Sequence, residues 1–236
     1  MRKYSILTKE LPFYPPFNGF PIEGLKFLRN LKRNNNREWF KAHKSEYEEF
    51  VKLPMQSLVS DLKPLIHEFA PDFIVDPQKS IFRIYRDVRF SKDKSPYKTH
   101  IAAIFQPTKH WNDSASLYLH IEPGGIFLGG GMYMPGALHL KKFRNTLITN
   151  TDTFIKIINS ADFKRYFSKI EGDRLKRVPI GFSNSHPLCE YLKLKQFYIG
   201  YELAESTCLK RNFINEVVFI FKKMMPFINF INSAIR

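Results

Sequence analysis

The chain has 236 residues, 44% hydrophobic and 15% aromatic, a globular rather than a disordered composition with enough length to bury a core without covalent staples. Two cysteines, Cys189 and Cys208, exclude a disulfide framework, and no Cys/His spacing reads as a zinc site, so no metal is expected and the setting is expected to be reduced and cytoplasmic. The net charge of +15 is spread from end to end and favours anionic partners: acidic ligands, nucleic acid or anionic surfaces.

Residues 1–19 are rich in Pro and aromatic side chains and read as extended, with no apolar run of the kind a secretory signal needs. A short helix is predicted over Ile22–Leu31. Asn34-Asn35-Asn36 then opens a longer helical stretch, in which Trp39, His43 and Tyr47 fall on one face. This stretch should kink or break at Pro54 and Pro64 and end near Ala70-Pro71. His43 reads as a core or interface residue. The pattern changes to period two over Ser80–Phe90, a predicted strand, and His100–Phe105 is a second. Ser116–Glu122 and Ile126–Gly130 flank Pro123-Gly124, which suits the central positions of a type II turn and predicts an antiparallel hairpin. From Pro135 onward the chain reads helical, over Ala137–Ile148, Thr153–Ile158, Asp162–Ile170 and Thr207–Ile231. The apolar run 213–235 is interrupted by Glu216, Lys222, Lys223 and Pro226 and reads as a packed helix, so no membrane partner is expected.

Helices, then strands, then helices predict an α+β fold with N-terminal helices, a central and mainly antiparallel sheet, and C-terminal helices. No repeat or linker divides the chain, so one domain spanning 1–236 is expected. Within it, 1–19 form the extended segment, 20–200 the core and 201–236 the C-terminal helix.

Several motifs stand out. They are Asn-Arg-Glu-Trp-Phe at 36–40, the run Phe-Arg-Ile-Tyr-Arg-Asp-Val-Arg-Phe-Ser-Lys-Asp-Lys-Ser-Pro-Tyr-Lys at 82–98 and Tyr-Leu-His-Ile-Glu-Pro-Gly-Gly at 118–125. Gly-Gly-Gly-Met-Tyr-Met-Pro at 129–135, Arg-Val-Pro-Ile-Gly-Phe at 177–182 and His-Pro at 186–187 complete the set. With these the chain resembles domain-of-unknown-function family 2461 over residues 20–200. The resemblance implies one intact domain and brings no assigned reaction with it, so function must be read from the residues.

The charged run is the first candidate site. In a strand over 80–90, Phe82, Ile84, Arg86, Val88 and Phe90 share a core-like face, while Ile81, Arg83, Tyr85, Asp87 and Arg89 share the other. A guanidinium on a core face needs a partner, which Asp93, Glu122 or a bound anion would supply to Arg86. The loop that follows adds Lys92, Lys94, Tyr97 and Lys98. In the preferred reading, Arg83, Arg86, Arg89, Lys94, Tyr97 and Lys98 bind a small phosphate- or carboxylate-bearing ligand, because arginine's planar fork matches such groups. Asp87 and His120 would handle protons if chemistry occurs. His120 lies on a polar strand face with Tyr118 and Glu122, and His100 shares a face with Lys98, Ala102 and Ile104.

Other readings compete. Gly129-Gly130-Gly131 lacks the lysine and helix start of a phosphate loop and reads as a bulge or a close backbone approach. Asp87, Asp93 and Lys94 resemble a metal-dependent nuclease set, but the flanking positive charge opposes a divalent cation. The charge makes a nucleic-acid-binding protein the second functional reading, and a non-enzymatic scaffold the third. Ligand identity, catalysis, cofactors, strand order and oligomeric state are not written in the sequence.

Overall fold

A computed structural model describes residues 13–108, 110 and 112–235; most of the extended segment expected over 1–19 lies outside them, and its described part has no regular structure. The fold is α+β: helices, a four-stranded antiparallel sheet, then helices around one last strand.

Helix α1 (Ile22–Arg33) begins after Pro21 and buries Leu25, Leu28 and Leu31, the spacing of an amphipathic helix. Helix α2 (Arg37–Ala42) starts where the Asn36 side chain accepts the Trp39 N–H at 2.9 Å. It ends at His43, whose ring donates from Nδ1 to the Trp39 carbonyl at 2.8 Å and stacks on the indole at 4.1 Å. The expected single helical face therefore breaks at His43, before α3 (Lys44–Tyr47).

A π-helical turn (Glu48–Lys52) then leads into α4 (Leu53–His67). The prolines do not stop this stretch. Pro54 sits in the first turn of α4, at its junction with the π-helical turn, and α4 runs on through Pro64. Pro54 cannot donate to the Phe50 carbonyl. That carbonyl packs against α1 at Gly24, where an added Cβ would lie 2.2 Å from the oxygen and 2.7 Å from the Phe20 ring.

The sheet order is β1 (Ile101–Phe105), β2 (Ser116–Glu122), β3 (Gly125–Met132) and β4 (Phe197–Leu203), every pair antiparallel. The β2–β3 turn carries Gly124 at φ +108°, as a type II turn demands. Strand β4 is a correction to the helical reading beyond Pro135. Its Phe-Tyr-Ile-Gly-Tyr-Glu-Leu sequence is aromatic and β-branched enough to have signalled it. Among the helices, α5 (Ala137–Thr149) and α6 (Thr151–Ile158) match expectation. Helix α7 (Ala161–Tyr166) ends early because Ser168 turns to φ +58°. Short α8 (Cys189–Leu192) and α9 (Glu205–Cys208) flank β4. Helix α10 (Phe213–Ile235) starts six residues later than the predicted 207.

Long and apolar enough to cross a bilayer, α10 lies instead across one face of the sheet, with most of its apolar stretch buried in the fold. It approaches β3 at Gly130, where a Cβ would meet Met224 Sδ at 2.9 Å and Ile228 Cδ1 at 3.2 Å. Phe221, Phe227, Ile228 and Ile231 join Leu117, Leu119, Ile121 and Leu128 in the core, each worth about 2 kcal/mol when fully buried. Asn232 closes the arrangement. Its Oδ1 accepts the Ala115 N–H at 2.8 Å, and its Nδ2 donates to the Ala115 carbonyl at 3.3 Å.

The helix and the close approach make opposite demands at Gly24. Alanine is favoured over glycine in a helix by about 1 kcal/mol. A Cβ at 2.2 Å from a backbone oxygen costs more, because neither helix can shift without disturbing the core. Gly24→Ala is expected to lower the unfolding free energy by at least about 2 kcal/mol in denaturant titration; an increase would show that the α1 contact is loose.

Candidate functional site

The segment 80–98 is the place where strand logic fails. Its backbone is extended, but it forms single bridges at Ile81–Ala103 and Tyr85–Tyr97 rather than a strand. The first part pairs with the sheet edge: Phe82 N–H donates to the Ala102 carbonyl and Ile104 N–H to the Ser80 carbonyl, both at 2.9 Å. The second part pairs with its own return limb: Arg86 N–H donates to the Pro96 carbonyl at 2.9 Å and Lys98 N–H to the Ile84 carbonyl at 2.8 Å. Changing partners within a few residues breaks the alternation. Ile84 is buried, yet Phe90 is 96% exposed and Arg86 lies at the surface beside Asp93.

This hairpin is pinned to the N-terminal helices by Asn35. Its Oδ1 accepts the Tyr97 N–H at 3.1 Å, and its Nδ2 donates to the Tyr97 carbonyl at 3.0 Å, so one amide replaces a strand neighbour. Tyr97 is buried and stacks on Phe40 at 4.2 Å, with Tyr85 5.4 Å away. The motif at 34–40 and the end of the charged run thus fold as one unit.

The charged residues pair among themselves at the tip. Arg86 bonds Asp93, and Arg89 bonds Asp87 through Nε at 3.0 Å and a terminal nitrogen at 2.7 Å. The hydroxyl of Ser95 and the Arg86 guanidinium hold the Asp93 carboxyl well below the usual carboxylate range, and the bonds from Arg89 lower Asp87 to about 2. Lys94 donates to the Val88 carbonyl at 3.0 Å. Arg83 is exposed. Arg83, Arg86, Asp87, Arg89 and Lys94 therefore decorate the hairpin, and Tyr97 anchors it.

Lys98 and His120 go elsewhere. With α10 covering one face of the sheet, the opposite face is open and holds a hollow of about 530 Å³. Its walls are rings: Phe82, Tyr118, Phe127, Tyr133 and Tyr198. Gly129 and Gly131 also line it; at Gly131 the backbone of β4 approaches so closely that a Cβ would lie 2.3 Å from the Phe197 carbonyl oxygen. The Phe127 ring folds across Gly129 and Gly200, since a Cβ would meet it at 2.9 Å on the first and 2.5 Å on the second. The glycine run thus serves both faces of the sheet, Gly130 under the helix and its neighbours along the hollow.

Lys98, His100 and His120 also line the hollow. The His100 and His120 rings stand 5.1 Å apart, and His120 stacks against Phe127. His120 Nδ1 lies 3.2 Å from the Tyr118 hydroxyl, while Nε2 faces Glu122 at 3.9 Å. A proton on Nε2 would face that carboxylate, leaving Nδ1 to accept from the tyrosine O–H. Burial pushes both imidazoles down to about 4, with the neighbouring ring as a further cause for His100, and raises the Tyr118 hydroxyl to about 12. Lys98 lies over the Phe82 ring at 5.1 Å and donates to the Arg83 carbonyl at 3.0 Å; burial and then the Arg83 charge lower its pKa.

Of the residues that complete the hollow, Phe127 and Tyr198 were not singled out by the sequence, and Tyr133 stood in the 129–135 motif without a role. Tyr198 sits on the unforeseen strand, and Phe127 reads as an ordinary strand aromatic. The shared face of Lys98, His100, Ala102 and Ile104 was readable, and all four line the hollow. Among the described residues, no three His, Cys, Asp or Glu side chains converge to hold a metal.

A sequence model of the family described as conserved hypothetical protein, DUF2461, matches residues 23–230. Among curated proteins, none matches the chain.

In the folded chain each imidazole takes its proton near pH 4, against 6.5 when free. The unfolded chain therefore binds more protons in between, and stability present above pH 6.5 is lost as the pH falls through 4, on the order of 3 kcal/mol per ring. Urea unfolding of wild type is expected to weaken across this window more steeply than that of His100→Gln/His120→Gln. Parallel curves would place both rings in water.

Proposed function

The chain belongs to the DUF2461 family, and for this member we propose that the hollow on the open sheet face binds a small amphipathic acid, with a flat apolar body and a carboxylate or phosphate head. One observation carries the reading: a cavity walled by aromatic rings, with its ionisable groups limited to Lys98, His100, His120 and the tyrosine hydroxyls. The size suits a drug-sized molecule, and an apolar lining with a few polar groups is the usual composition of a ligand site.

The chemistry follows from the lining. Planar rings offer offset stacking to a planar body. Both histidines are neutral at pH 7, so Lys98 is the cation that meets the head. An anion there offsets the cost of burying the ammonium and draws protons onto the imidazoles, so affinity should rise as the pH falls toward 6. The arginines at the tip are occupied by Asp87 and Asp93, which favours Lys98 over them as the anion's partner.

The test is a thermal-shift series with wild type, Lys98→Met and Arg89→Gln. The probes are aromatic carboxylates, aliphatic carboxylates, aryl phosphates and the uncharged amides of the same bodies. A ligand at about 100 times its Kd stabilises by about 2.7 kcal/mol. Aromatic acids are expected to stabilise wild type and Arg89→Gln, and Lys98→Met is expected to reduce the acid's advantage over its amide. Stabilisation abolished by Arg89→Gln and untouched by Lys98→Met would move the site to the hairpin tip.

A further inference from the structure

We infer that the tip of the 82–98 hairpin is a second, separate site, which binds single-stranded nucleic acid by stacking a base on Phe90. The side chain of Phe90 is 96% exposed, and nothing in the fold requires an aromatic there. Tyr85, on the same hairpin, is 51% exposed. The Arg89 guanidinium lies 5.8 Å from the Phe90 ring centroid, so the ring carries a cation beside it.

Apart from Lys98, which lines the hollow, the hairpin holds five cationic side chains, Arg83, Arg86, Arg89, Lys92 and Lys94, against Asp87 and Asp93, a surplus of three charges. The two aspartates do more than neutralise. Asp93 accepts from the Ser95 N–H at 2.9 Å and from its hydroxyl at 2.6 Å while it holds Arg86. Asp87 clamps Arg89, and Lys94 ties the loop back to Val88. These bonds fix the loop without burying it. A stiff, exposed, basic loop meets its partner with little ordering left to do.

Two features favour nucleic acid over an anionic bilayer. The exposed large apolar residues of this hairpin are aromatic, without an aliphatic among them, which suits stacking on bases better than insertion among acyl chains. Arg83 and Lys92 are exposed and stand outside the two aspartate pairs, and arginine's planar fork engages phosphate oxygens in pairs. Exposed aromatics interleaved with cations are the arrangement by which single strands are held without sequence readout.

Fluorescence anisotropy with a labelled single strand of about 12 nucleotides tests this, in a salt series starting near 50 mM. Wild type is expected to bind, and Phe90→Ala to bind about 10-fold more weakly. Phe90→Trp is expected to retain affinity and to lose indole fluorescence on binding. Arg83→Gln/Lys92→Gln/Lys94→Gln is expected to reduce the slope of log affinity against log salt by about 2. Equal melting temperatures for all variants would show that the fold is intact, as the exposure of these residues implies. Absence of binding at the lowest salt, or equal affinity for wild type and Phe90→Ala, overturns the inference. So does Phe90-dependent binding to phosphatidylserine-containing vesicles without binding to the strand, which would assign the tip to an anionic bilayer.

Discussion

The open sheet face exists because α10 lies so close against the other. Gly130 permits that approach by presenting no side chain to Met224 and Ile228. The helix then takes up the apolar side chains of the inner face, and the outer face is released from core duty. A sheet covered on both sides would need aliphatic residues on every strand position. Here the outer face can carry histidine, tyrosine, lysine and glycine, which make poor core and a good cavity.

The second organising device is the use of asparagine as a backbone substitute. Asn35 and Asn232 each accept a main-chain N–H and donate to the carbonyl of the same residue, Tyr97 in one case and Ala115 in the other. A strand neighbour would supply the same pair of bonds but would need several residues in register. One amide achieves it from a turn or from a helix. In this way a hairpin with little sheet of its own is held to the helices, and the start of β2 is held to α10. Pairing each orphan donor and acceptor spares the one to three kcal/mol that burying an unsatisfied group costs, about that range per group.

Much of this was legible in the chain. Periodicity placed the N-terminal helices, the β2–β3 hairpin with its Pro123-Gly124 turn and the helices over 137–158, because those elements bury one face and show it in their spacing. It also placed Lys98 with His100, and His120 with Tyr118, on common faces. What it could not show was partner exchange. The run 80–90 alternates like a strand, yet pairs first with β1 and then with residues 96–98, so the faces assigned to Arg86 and Phe90 did not hold. The hollow was hidden for a different reason. Its walls come from β1, β2, β3, β4 and the hairpin, and a cavity assembled from strands distant in sequence has no local pattern. The prolines misled because their effect depends on position: Pro54 falls where the π-helical turn meets α4, and the Phe50 carbonyl to which it cannot donate packs against α1 at Gly24.

The π-helical turn at Glu48–Lys52 acts as a phase shifter. Compared with an uninterrupted α-helix it holds one residue more, and each residue advances a helix by about 100°. Helix α3 is thereby rotated relative to α4, and its Tyr47 meets the Phe40 ring at 5.4 Å while Leu58 and Leu62 stay on the core. Loss of a single residue here would leave α3 and α4 helical and swing Tyr47 away from the Phe40 ring that it supports. The aromatic ledge under the hairpin thus depends in part on the count of residues in one turn.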